Sequence, residues 1–153
     1  MKLYLMQHGE AMSKAENPER PLTDRGKDDV GRVATFLARS EREIKEIRHS
    51  GKRRAEETAS IVAQHLQAQD SVIAVGGINP NDDVVPVAEA LQGQTEPVMI
   101  VGHLPFLSRL ASHLLTGDAE RTLVQFQMGG VVCLTRQEEN WTLEWMIVPD
   151  VVL

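Results

Sequence analysis

Two histidines of this 153-residue chain stand directly behind apolar runs of strand length. His8 closes Leu3-Tyr4-Leu5-Met6-Gln7 and precedes Gly9, and His103 closes Pro97-Val98-Met99-Ile100-Val101-Gly102. An imidazole with one nitrogen held as a donor presents a lone pair on the other, and serves as a nucleophile or base near neutral pH. A third segment, Ser50-Gly51-Lys52-Arg53-Arg54, puts three cations in the first turn of a helical pattern, where the macrodipole disfavours each by ~0.3 to 1 kcal/mol. Glu56 and Glu57 relieve part of that conflict, so one reading is a solvated cluster with intrahelical pairs. The other is an anion resting on the helix N-terminus, its charge shared by exposed N–H groups and a guanidinium; we favour a phosphate. His8 alone reads equally as a polar residue ending a strand. His103, in the same topological place far along the chain, tips the balance.

The other ionisable groups are weaker candidates. Glu10, beside His8, and Asp82, at a predicted loop-to-helix junction, are the possible general acids; Asp82 and Asp83 serve more simply as helix caps, and Glu10 can equally orient a loop donor. His49 reads as a surface residue, and His65 and His113 as helix positions without catalytic meaning. The His8-x-Glu10 spelling occurs in zinc deaminases, but their Pro-Cys-x-x-Cys is absent, as is His-Glu-x-x-His, so no metal is expected. No glycine-rich nucleotide loop follows a strand, and no cofactor is implied.

Such groups need a scaffold that delivers them to one rim. Leu3 to Gln7 reads as a short buried strand. A polar loop from Ser13 to Pro21 follows, then a helix capped by Thr23 or Asp24 with Val30, Val33, Ala34 and Leu37 on its inner face. Ile44 to Ile47 alternates like a half-buried strand that runs into His49-Ser50-Gly51, and Ala55, Thr58, Ala59, Val62 and Leu66 mark the inner stripe of a second helix. Val72 to Val75 is a weak strand, and Asp82 or Asp83 caps a helix through Leu91. Pro97 to Gly102 is a continuous apolar strand, followed by a helix from Pro105 through Leu115. Val131 to Thr135 and Trp141 to Val148, joined through Glu138-Glu139-Asn140, read as a hairpin at a sheet edge. The alternation predicts an α/β three-layer sandwich: one domain over residues 1–153, a mostly parallel central sheet flanked by helices, and a C-terminal edge hairpin. Ligands of such sheets bind at the C-terminal ends of the strands, which singles out the loops carrying His8, Ser50 to Arg54, and His103.

Composition narrows the function classes. An apolar share of 42% with 25% charged residues suits one core, and eleven Gly with seven Pro exclude a low-complexity polymer. Sixteen Lys and Arg against 22 Asp and Glu leave a net charge of −6, the wrong sign for a surface that tracks a nucleic-acid backbone. The single cysteine, Cys133, lies in the apolar run Val131-Val132-Cys133-Leu134, so it excludes an intramolecular disulfide and reads as core. No apolar run approaches the ~20 residues of a membrane span, and the N-terminal run is too short for a signal-peptide core. A cytoplasmic, reducing location is expected, with neither nucleic acid nor membrane as partner.

At this point the residues resemble a family. Gln7-His8-Gly9-Glu10 looks like the Arg-His-Gly motif of the histidine phosphatase superfamily, and Ser50-Gly51-Lys52-Arg53-Arg54-Ala55-Glu56-Glu57-Thr58 resembles its Ser-Pro-x-x-Arg-Ala-x-x-Thr box. Gly102-His103 is similar to its later strand-end Gly-His. The short chain, Arg20-Pro21-Leu22-Thr23 and Gly102-His103-Leu104-Pro105 resemble the SixA-type phosphohistidine phosphatase group within it, and the likeness runs from Lys2 to about Val148. The resemblance implies a phosphoglycerate mutase-like fold, His8 as the nucleophile that takes the phosphoryl group, Arg54 as a phosphate-holding cation, and His103 as a second imidazole on a phosphate oxygen. Such a site stabilises the transferring group electrostatically and needs no metal.

The departure is Gln7, where the family has arginine. Its amide still donates to a phosphate oxygen but lacks the charge-assisted component, of order 1.5 to 3 kcal/mol. Roughly ten- to hundredfold weaker phosphate binding or turnover follows unless Arg20, the nearest candidate, or Lys52 or Arg53 compensates. Gly51 in place of the family's proline loosens the start of the helix.

The implied activity is removal of phosphate from phosphohistidine in a protein, through a phosphohistidine intermediate on His8. Phosphohistidine leaves as an imidazole whose conjugate acid has a pKa near ~6.5, whereas an alkyl phosphate expels a poor alkoxide and calls for an acid. Mutase-like members carry a long acid-bearing insertion for which this chain has no room. The alternatives are a phosphomonoesterase acting on a small phosphorylated molecule, and a phosphate- or phosphoprotein-binding module whose turnover Gln7 has weakened.

Overall fold

The computed structural model describes residues 1–40 and 43–152. Its elements run β1 (Lys2–Gln7), α1 (Asp24–Arg39), β2 (Glu46–His49), α2 (Arg53–Leu66), β3 (Val72–Ala74), α3 (Val85–Gln92), β4 (Val98–Gly102), α4 (Phe106–Thr116), β5 (Val131–Gln137) and β6 (Asn140–Ile147), with 3-10 turns at Gln69–Ser71 and Pro149–Val151. They form one six-stranded sheet in the order β3-β2-β4-β1-β5-β6. The first four of these strands are mutually parallel, and β5 and β6 close one edge as an antiparallel hairpin. The mostly parallel sandwich with its C-terminal edge hairpin is therefore the observed architecture.

Because β1 is internal, both of its faces are buried. Leu3 and Leu5 join Val98, Ile100, Val132 and Leu134 beneath α3 and α4, while Tyr4 and Met6 join Ile47, Met99, Val101 and Cys133 beneath α1 and α2. Crossovers between parallel strands are right-handed, so the direction of travel along the sheet decides the face a helix covers. From β1 through β2 to β3 the chain moves one way and lays down α1 and α2; from β3 back to β4 it moves the other way and lays down α3, and α4, ahead of antiparallel β5, packs into the same layer as α3. Adjacent β1 and β4 thus send their outgoing chains to opposite faces, which opens a crevice at their C-terminal ends.

Three elements differ from the expectation. The second strand spans Glu46–His49 rather than Ile44 to Ile47, because its pairing with β4 continues to His49 opposite Val101. Neither Asp82 nor Asp83 is the N-cap of α3, a place held by Val84. Pro86 lacks an amide hydrogen and so sits in the first turn of this helix, which delays its start; Asp83 accepts Val85 N–H at 3.0 Å just ahead of it, and Asp82 accepts Asn79 N–H at 2.8 Å. The hairpin turns on Glu138 and Glu139, with Glu138 left-handed at φ 58° and Asn140 already in β6. For α1 the choice between Thr23 and Asp24 resolves to Thr23, whose Oγ accepts Gly26 N–H at 3.0 Å.

Two glycines of α1 differ in what surrounds them. A Cβ at Gly26 would overlap the Glu10 carbonyl, whereas a Cβ at Gly31 meets nothing within 4 Å. Gly26→Ala is expected to lower the unfolding free energy by about 1 to 3 kcal/mol through forced displacement of backbone. Gly31→Ala is expected to raise it by about 0.5 to 1 kcal/mol through reduced entropy of the unfolded chain. Urea denaturation of the two variants checks the pair, and equal shifts would refute the packing argument.

Candidate active site

His8 and His103 extend the C-terminal ends of neighbouring strands, and their ring centroids are 5.2 Å apart. His8 N–H donates to the Gly102 carbonyl at 3.0 Å, so the histidine loop begins while still tied to β4. Its Nδ1 lies 2.7 Å from the Gly9 carbonyl. A carbonyl only accepts, so Nδ1 carries the proton and Nε2 keeps the lone pair. Gly9 lets the loop lie against α1, because a Cβ there would meet Val30 Cγ2 at 2.8 Å and the Gly26 carbonyl at 3.0 Å.

Helix α2 supplies the third side. Lys52 is its N-cap and makes no side-chain cap bond, so Arg53 and Arg54 open a helix whose first N–H groups are uncapped by any side chain. The two readings of this cluster divide between the two arginines. Arg53 pairs with Glu57 at 3.5 Å and with Glu19 from the preceding loop, as a solvated cluster would. Arg54 is half-buried, with Nε buried and unpartnered. Gln7 Oε1 and His103 Nδ1 are likewise buried without a partner. Each such buried atom costs about 1 to 3 kcal/mol while unpaired, and Arg54 and His103 lie close enough for the guanidinium to act on the ring.

Arg20 is half-buried, left-handed at φ 51°, and anchored by Nε to the Met12 carbonyl at 3.0 Å. Its charge is felt by His8, Arg54 and His103. Burial above all, with the guanidinium of Arg54 and then Arg20 beside it, pushes the His8 imidazole down to about 4 against the pull of the Gly9 carbonyl. Burial again, followed by His8, Arg54, Lys52 and Arg20, pushes His103 down to about 3. Both rings are neutral near pH 7, and burial together with Arg20 also lowers Arg54. The charges acting on both rings are cationic ones, from Arg54, Arg20 and, at His103, Lys52.

The acid candidates are engaged elsewhere. Glu10 accepts the Thr23 hydroxyl at 2.9 Å, and Asp82 is held in the turn before α3. Glu10 lines a cavity of about 390 Å³ with Arg25, Asp29 and Met128, which neither histidine reaches. His49 was expected at the surface and is instead buried, 4% exposed, because β2 runs two residues further; its Nδ1 accepts Gly51 N–H at 3.1 Å. Two hydroxyls went unassigned in the sequence. Thr58 accepts Gly9 N–H at 3.0 Å and donates to the Arg54 carbonyl at 2.8 Å, fastening the loop after His8 to α2, and Ser50 Oγ lies 2.6 Å from His103 Nε2. Their signal was membership of the phosphate box. Among the described residues no three His, Cys, Asp or Glu side chains are grouped to hold a metal, and no helix is long and apolar enough to cross a membrane.

Comparison with known proteins finds relatives in sequence and in fold. The profile of the histidine phosphatase superfamily (branch 1) matches residues 3–74. The phosphohistidine phosphatase SixA of Escherichia coli strain K12 is 30% identical over 155 residues, spanning 97% of this chain and 94% of that protein. A structure of the protein histidine phosphatase SixA complexed with tungstate superposes with a TM-score of 0.88 at 29% identity, covering 98% of each chain. The alpha-ribazole phosphatase of Shigella flexneri, at 18% identity and a TM-score of 0.74 over 94% of this chain and 95% of its own, shares the fold.

Depressed imidazoles make stability depend on pH. As pH falls below ~6.5 the unfolded chain takes up protons that the folded site refuses, so stability present above that value is lost down to about 4 for His8 and about 3 for His103. The expected loss has a slope of up to about 1.4 kcal/mol per pH unit for each histidine. Urea denaturation at pH 7, 6 and 5 should show shallower slopes in His8→Asn and His103→Asn than in the wild type. Three equal slopes would contradict the burial argument.

Proposed function

The chain belongs to the histidine phosphatase superfamily, and on that premise we propose that it hydrolyses phosphohistidine in a phosphorylated protein. His8 Nε2 attacks phosphorus, the bond from phosphorus to the substrate imidazole breaks, and the substrate ring, already protonated from solvent on its other nitrogen, leaves as neutral imidazole. A phosphoryl group then rests on His8 until water attacks it, breaks the P–Nε2 bond and yields inorganic phosphate. Arg54, His103, the Gln7 amide and Arg20 hold the non-bridging oxygens, and the uncapped start of α2 adds its N–H groups. The observation that carries this reading is the Gly9 carbonyl on His8 Nδ1, which leaves a nucleophilic Nε2 beside buried, unpartnered Arg54 Nε and His103 Nδ1. The engagement of Glu10 and Asp82 elsewhere supports a leaving group that needs little acid assistance. A cytoplasmic setting belongs to the same reading.

Gln7 favours a second reading, a phosphoprotein-binding module with weak turnover, because a neutral amide stands where the motif has a cation. Two experiments separate the readings. Acid-quenched reaction with labelled phosphoramidate should leave phosphate on the wild-type protein and none on His8→Ala, whose hydrolysis should vanish while its fold survives; label or turnover persisting in that variant would sink the mechanism. Gln7→Arg should tighten phosphate binding about five- to thirtyfold and raise phosphoramidate turnover with it. Tighter phosphate without turnover in either protein would favour the binding module, and unchanged affinity would remove position 7 from the site.

A further inference from the structure

Within the phosphate box, Ser50 carries no charge and stands apart from the nucleophile, yet its side chain meets a catalytic candidate. Its Oγ is 2.6 Å from His103 Nε2, a contact spanning 53 positions of sequence. Register makes it possible: β2 ends at His49 opposite Val101, so Ser50 emerges level with the end of β4. Gly51 then turns the chain away at φ 88°, and its N–H donates to His49 Nδ1. Lys52 N–H reaches back to Ser50 Oγ at 3.4 Å. These bonds form a hook that aims the hydroxyl at the imidazole and leaves the other ring nitrogen, Nδ1, buried without a partner.

We propose that Ser50 is a positioning residue for phosphoryl transfer: its hydroxyl holds His103 by Nε2, directs Nδ1 to the phosphate, and accepts a hydrogen bond from Nε2–H when the bound anion makes His103 cationic. The proposal rests on the phosphoryl-transfer reading of the site. A hydroxyl both donates and accepts, so one oxygen serves both states of the ring. Donating to Nε2 of the neutral ring, it forces the proton onto Nδ1, where that proton faces the anion. Accepting from Nε2–H of the cation, it stabilises the charge that the phosphate has called up, with the proton drawn from solvent. A carboxylate in its place would hold the ring cationic in the empty site and repel the dianion. The groups whose charges reach His103 are His8, Arg54, Lys52 and Arg20, none of them acidic, so the bound anion is what makes protonation favourable.

The test compares Ser50→Ala and Ser50→Thr with the wild type in the full chain, with Ser50→Cys as the shape-preserving variant should loss of the hydroxyl unfold the protein. Nitrogen-15 NMR of the His103 ring, with and without tungstate, should show the Nδ1–H form in the empty wild type and a cationic ring with tungstate bound. Ser50→Ala should mix the tautomers and lower the pKa of His103 in the tungstate complex by about one unit, and Ser50→Thr should restore both. The kcat for phosphoramidate should fall about tenfold in Ser50→Ala, with a smaller change in KM, and recover in Ser50→Thr. An unchanged tautomer and titration in Ser50→Ala overturns the proposal whatever the turnover. Wild-type protein that shows the NMR response but hydrolyses no phosphoramidate would instead count against the phosphatase reading, with Ser50 still acting on His103.

Discussion

Strands β1 and β4 lie side by side, run the same way and stop at the same level, Gln7 opposite Gly102. Slipping their register by one residue would send every β1 side chain to the wrong face. Leu3 and Leu5 would leave the layer of α3 and α4, and Tyr4 and Met6 the layer of α1 and α2. The packing of two cores therefore sets the level at which both strands end. His8 and His103 are consequently placed by the rigid interior and not by flexible loops, and Ser50 reaches His103 only because β2 keeps the same register on the far side of β4.

Around that fixed pair the chain separates its charges. Glu19 and Glu57 neutralise Arg53, Glu57 also accepts Leu22 N–H at 2.7 Å, and Glu10 serves the Thr23 hydroxyl. The carboxylates nearest the site are thus committed to holding loops in place, and Arg54, Arg20 and Lys52 act on the imidazoles unopposed. In a protein of net charge −6 the result is a local region of positive potential around His8 and His103, of the sign that attracts anions. The same arrangement carries a cost: rings kept neutral by burial and unpartnered buried polar atoms are tolerated because the sheet beneath them is fully packed.

Much of this was legible in the residues. Short apolar runs bounded by glycine and histidine revealed β1 and β4, and their shared position ahead of helices revealed the rim. The conflict between three cations and a helix N-terminus pointed to an anion, and the structure assigns that conflict to Arg54 while Arg53 follows ordinary pairing. What stayed hidden is what depends on neighbours distant in sequence. His49 looked solvated because nothing local marks β2 as continuing beside β4. Thr58 and Ser50 looked like ordinary helix and loop residues, since a hydroxyl advertises neither charge nor periodicity, and its partners lie 49 and 53 positions away.

Gly129 N–H is shared between the carbonyls of Gln7 and His8, at 3.0 and 3.2 Å, and β1 lies between β4 and β5. The first strand of the sheet in chain order is therefore among the last to be enclosed. It waits for Val98–Gly102 on one side and Val131–Gln137 on the other, so during synthesis the His8 segment keeps both backbone edges open until those distant strands have been made. The His8 loop is fully bonded only once the closing hairpin has paired, and a chain stopped before it presents an apolar edge to chaperones.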